Sequence, residues 1–175
     1  MPARQPRPKP PIYTFRIRIK GGYYAPQGGG EIWREVEIPA GEPLATLGFG
    51  IPYVFGFEDM HLWSFFMSGE IWDKESEYSM LGAEIMSMGL DDSTAKDAGA
   101  VRLADVTYPG DDGAGEFAYL FDYGDGWEFG VRRVGVSDAI DKTATYPRLS
   151  ASQGDAPPQY PDEEEDEDED FDEGG

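Results

Sequence analysis

The chain contains no cysteine, which excludes disulfide frameworks, zinc–thiolate centres and thiol nucleophiles. It has a single histidine, His61, so a site built on several imidazoles is excluded as well. No apolar run approaches the roughly 20 residues of a membrane-spanning helix. The first residues, MPARQPRPKPP, carry prolines and cations where a signal peptide has an apolar core. These absences predict a cytoplasmic protein with no membrane partner. Basic residues are scarce, with 14 Lys and Arg against 35 Asp and Glu and a net charge of −21. Eleven of the acids fall within 162–173, yet acids outnumber bases in the rest of the chain too. Nucleic acid is held by neutralising its phosphates, so it is not an expected partner; a basic protein is. There is no phosphate-cradling GxGxxG or GxxxxGK[ST] and no serine in a nucleophile-elbow context.

What is present is period-two patterning. In IYTFRIRIK, 12–20, Tyr13, Phe15, Ile17 and Ile19 alternate with Thr14, Arg16, Arg18 and Lys20, the signature of a half-buried strand. EIWREVEIP alternates again, with Ile32, Val36 and Ile38 opposed by Trp33, Glu35 and Glu37, and predicts a hairpin in which Arg16 and Arg18 lie beside Glu35 and Glu37. Arg34 is assigned to a solvated face. From Pro43 the spacing of Leu44, Leu47, Ile51, Val54 and Phe55 becomes helical, although Gly48, Gly50 and Pro52 predict a short or interrupted helix. Residues 62–72 read as a strand with a Ser68-Gly69 turn, 73–99 as an insertion with a helical turn near Ala83–Met88, and 101–106 as a short strand. FAYLF and WEFGV form a closing hairpin around Asp125-Gly126, a dipeptide favoured in two-residue type I′ turns. Residues 1–11 read as a disordered proline-rich leader, 12–150 as the domain and 151–175 as a disordered acidic tail.

Four segments in order, EIWREVEIP, GFEDMHLWSFFMSG, VRLADV and FAYLFDYGDGWEF, resemble the plasmid pRiA4b ORF-3-like (MM3350-like) family over about residues 12–148. The resemblance implies a small α+β domain, with a link to plasmids for some members. The family motif carries histidine where this chain has Phe129, and His61-Leu62-Trp63 stands where His-Leu-His is common. Independently, the element order predicts a β-grasp-like antiparallel or mixed sheet of about five or six strands packed on one or two short helices. No cofactor is expected.

The candidate functional cluster is His61, Asp122, Asp125, Trp127 and Glu128. A histidine with two carboxylates can hold a divalent metal, and a His–Asp pair can orient an imidazole for proton transfer. The same pair can equally be a structural bond that fixes the hairpin. No residue is assigned a catalytic role. The reading from sequence is a non-catalytic protein-interaction module, with a metal-dependent hydrolase-like enzyme using His61, Asp122, Asp125 and Glu128 as the alternative.

Overall fold

The computed structural model describes residues 8–80 and 94–161. Among them are eight strands: β1 (Ile12–Gly21), β2 (Trp33–Pro39), β3 (Trp63–Phe66), β4 (Glu77–Ser79), β5 (Lys96–Asp97), β6 (Phe117–Phe121), β7 (Trp127–Ser137) and β8 (Arg148–Gln153). They form one mixed sheet in the order β5-β4-β3-β6-β7-β1-β2-β8, with β4–β5 as its parallel pair. The expected five or six strands are corrected to eight. The additional ones are short or solvated, with little period-two signal to reveal them. β8, RLSASQ, is largely exposed, and it carries the sheet past the boundary expected at 150.

The single α-helix among the described residues, α1 (Leu44–Val54), packs on one face of the sheet. Phe15, Ile17, Ile38, Trp63, Phe65, Phe117, Tyr119, Phe121, Trp127 and Phe129 are fully buried with Leu44 and Ile51. Each such side chain contributes about 1.5–3 kcal/mol of burial. Two of the unfavourable helix residues have a use. A Cβ on Gly48 would lie 2.3 Å from Trp63, so glycine lets the indole lie against the helix backbone. Pro52 has no N–H to give the carbonyl four residues before it, and that carbonyl, of Gly48, instead accepts the Tyr119 hydroxyl at 2.7 Å.

Two local expectations are corrected. Residues 101–106 form a 3-10 turn at Leu103–Asp105, because their backbone bonds go to the β2–α1 connection, with Leu44 N–H donating to Val101 and Leu103 N–H to Glu42. The strand expected over 62–72 ends at Phe66, where the Gly69 N–H closes a turn on the Phe66 carbonyl. The insertion supplies a 3-10 turn at Lys74–Ser76, β4 and β5. The turn expected at Ala83–Met88 lies outside the described residues.

Candidate functional site

The loop between β6 and β7 runs from Asp122 to Gly126, so the chain reverses over five residues and not over the two of a type I′ turn. Its first residue sets its shape. Asp122 adopts φ 58°, a left-handed conformation that aspartate tolerates better than most residues. Its N–H donates to the Leu62 carbonyl, and its own carbonyl accepts the Gly126 N–H. Oδ1 accepts the N–H groups of Gly124 and Asp125 at 3.1 and 3.3 Å. The turn chemistry that the sequence places at Asp125-Gly126 thus belongs largely to Asp122.

The other oxygen faces His61. Asp122 Oδ2 lies 3.4 Å from His61 Nε2, which is also 2.7 Å from the hydroxyl of Tyr160. Asp125 joins the group electrostatically: burial, and next the charge of Asp122, push its carboxyl above the ordinary aspartate value, while His61 acts the other way. Burial and the carboxylate of Asp59 raise the Tyr160 phenol in the same sense. His61, Asp122 and Asp125 are therefore brought together.

Trp127 and Glu128 are not part of that group. Trp127 is fully buried against Phe57, ring centroids 4.8 Å apart, and Glu128 lies on the opposite sheet face with Lys20 Nζ 4.0 Å away. Among the described residues no three metal-ligating side chains are arranged to hold an ion.

Tyr160 was not legible as a site residue because it follows the predicted end of the domain. The segment 154–161 returns to the fold through Gln159, whose amide accepts the Asp59 N–H at 3.1 Å and donates to the Asp59 carbonyl at 2.9 Å. Two backbone bonds from one side chain hold Tyr160 beside His61.

Arg34 is also corrected. It is buried, and its Nη1 donates to the carbonyls of Trp33, Gln153 and Gly154 while the guanidinium lies 5.2 Å from the centre of the Phe55 ring. Arg34 thereby fastens the end of β8 to β2. Its neighbours on the polar face divide their partners differently from the expectation: Arg16 bonds Glu35, but Arg18 bonds Glu116 and Glu37 takes Arg148. The cations Arg16, Arg18 and Arg132 line a depression shared with Glu31 and Glu116, whereas Arg133 lies over Tyr13 and Tyr108.

A larger concavity of about 680 Å³ lies between α1 and β8. Val36, Phe49, Tyr53, Phe57, Met60 and Leu149 supply most of its apolar wall, and Glu58 stands on its rim. Tyr53 is 81% exposed, and Phe49, Met60 and Leu149 are each about half exposed. Neither His61 nor Asp122 lines this groove. The four tryptophans do not form it either: Trp63 and Trp127 are core, Trp33 lies under Arg16, and Trp72 packs on Phe66 and Tyr123.

The fold is shared with a solved protein. The crystal structure of MM3350 from Methanosarcina mazei Go1, titled a protein of unknown function, superposes with a TM-score of 0.63 at 23% identity, covering 85% of this chain and 72% of that one. No curated protein matches the chain. No helix among the described residues is long and apolar enough to cross a membrane. Residues 12–163 match the family described as plasmid pRiA4b ORF-3-like protein, a span that takes in all eight strands, the groove and the Gln159–Tyr160 segment, and on that match the chain belongs to this family.

Proposed function

We propose that this chain is a non-catalytic protein-interaction module and that the groove between α1 and β8 receives its partner. The observation that carries the reading is the exposed apolar lining. Monomeric proteins seldom leave contiguous large side chains in water unless a partner covers them, and concave apolar surface is the usual form of a binding site. The charge of the chain favours a basic partner, because like charges suppress acidic ones and opposite charges speed encounter. The hydrolase-like alternative requires His61, Asp122, Asp125 and Glu128 to converge. Glu128 pairs with Lys20 away from the other three, and Asp122 Oδ1 already accepts two N–H groups of the loop.

The test uses Gly50, where an added Cβ meets nothing within 4 Å and a side chain would enter the groove. Affinity capture from the native host with wild type and Gly50→Leu as baits is expected to give a protein held by the first and lost by the second. Equal capture by both baits refutes the groove. In parallel, divalent metal is expected to leave the melting temperature of wild type and of Asp122→Asn unchanged. A metal-dependent rise in wild type alone would restore the enzyme reading, since a ligand that binds only the native state stabilises it by mass action.

A further inference from the structure

The sheet has two edges, and they differ. β5 ends one side with two residues, Lys96 and Asp97, short and charged in the manner by which natural sheets discourage further pairing. β8 ends the other side with six residues, Arg148–Gln153, and among the described residues pairs with β2 along one flank alone. Past Arg148 it contains no charge and no proline, Ser150, Ser152 and Gln153 are exposed, and its one irregularity is a bulge at Ser150, between the Leu149–Val36 and Ala151–Glu35 pairs. It is also held firmly as a template. Arg34 fixes the carbonyls of Gln153 and Gly154, and Arg148 is bound by both Glu37 and Asp141.

The unpaired edge and the apolar groove adjoin, since Pro147, Arg148 and Leu149 form one wall of the groove while Phe49, Gly50 and Tyr53 of α1 form the other. A strand laid along β8 would direct every second side chain toward that groove. The remaining charge at the site is negative. Arg148 is neutralised by its two acids, whereas Glu58 on the rim has no cation partner among the described residues, and Asp59 follows it in the chain.

We infer that the groove's occupant is an extended segment of a partner protein, with an apolar and a basic residue two positions apart, which adds to β8 as a further strand. This rests on the interaction reading above and adds the backbone conformation, the edge used and the side-chain pattern recognised. The main-chain bonds to β8 supply affinity without regard to sequence. The groove selects an aliphatic or aromatic side chain, and Glu58 favours Lys or Arg beside it.

Displayed random dodecapeptides are selected on the full chain, and the enriched peptides are titrated by fluorescence anisotropy. Peptides with an apolar residue and a Lys or Arg two positions apart are expected, with binding at least tenfold weaker to Gly50→Leu and severalfold weaker to Glu58→Gln. Backbone N-methylation walked along a selected peptide then reads its conformation. In a strand only alternate N–H groups face the template, so methylation is expected to cost at least tenfold at every second position and little between. Peptides lost on Gly50→Leu but bound without this alternation would overturn strand addition and leave the groove reading intact. Peptides indifferent to Gly50→Leu would overturn both. Absence of any enriched peptide overturns the inference, and so does a concentration-dependent dimer dispersed by Gly50→Leu, which would make the occupant a second copy of this chain.

Discussion

Replacing Tyr119 with phenylalanine removes one oxygen and leaves the ring. Its hydroxyl donates to the Gly48 carbonyl, which stands four residues before Pro52 and so lacks the N–H that would complete the helical bond. Tyr119 is fully buried, and water does not reach the orphaned acceptor. A buried polar group left without its bond costs about 1–3 kcal/mol. For a domain of this size that corresponds to a fall in Tm of roughly 2–10 °C. The same reasoning fixes the sign of a coupling. Pro52→Ala returns an N–H to the carbonyl, so in that background Tyr119→Phe should cost at most about 1 kcal/mol. Four proteins suffice: wild type, the two single variants and the double, unfolded by urea with tryptophan fluorescence and far-UV circular dichroism as coincident probes. If the two substitutions add to within about 0.5 kcal/mol, the hydroxyl is not compensating for the proline, and the account of this helix is wrong.

Gly48→Ala should destabilise by about 2 kcal/mol, overpacking against Trp63 outweighing the gain in helix propensity, whereas Gly50→Ala should stabilise by about 1 kcal/mol; chemical denaturation of both reads the difference. Deleting 155–175 removes the Gln159 clasp on Asp59 and should lower Tm by about 4 °C, clearly more than deleting 162–175; equal effects would show that the clasp contributes nothing. The bidentate bond from Arg18 holds the Glu116 carboxyl below its ordinary value. The unfolded chain therefore binds the proton first on acidification, so this stability is present above the ordinary glutamate range and is lost as pH falls through the folded value. The stability gap between wild type and Glu116→Gln, measured by denaturant titration at about pH 6 and about pH 3, should close at the lower pH.

Strands with one dry face announced themselves by alternation. β1, β2 and β7 lie where the pattern puts them, β6 is marked by the shared parity of Phe117, Tyr119 and Phe121 although both its faces are buried, and α1 forms despite three residues that argue against a helix. β3 is buried on both faces, and its end at Phe66 is hidden because Met67 prolongs the apolar run. β8 has too few apolar side chains to show a period, since its inner flank is satisfied by β2 and the rest faces water. Arg34 was readable in principle: it shares its parity with Ile32, Val36 and Ile38, and only the assumption that charge means solvent sent it outward. The turn role of Asp122 carries no local signal, because it depends on a positive φ and two side-chain bonds to the following N–H groups. Tyr160 meets His61 from 99 residues away, a pairing that no local pattern encodes.

The strand that begins the domain lies inside the sheet, not at its edge. β1 is bounded by β2, which follows it closely in the chain, and by β7, which becomes available only after more than a hundred residues have followed. The β3–β6–β7 half meets the β1–β2–β8 half along that one seam. An emerging chain can therefore close the first hairpin early, but Phe15 and Ile17 must await partners from the other end, and long loop closures of this kind slow folding. During that interval the two half-sheets present raw edges to each other and to neighbouring chains. Ribosome-bound intermediates halted before β7 should thus be protease-sensitive throughout, with protection arriving in a single step once the seam zips shut.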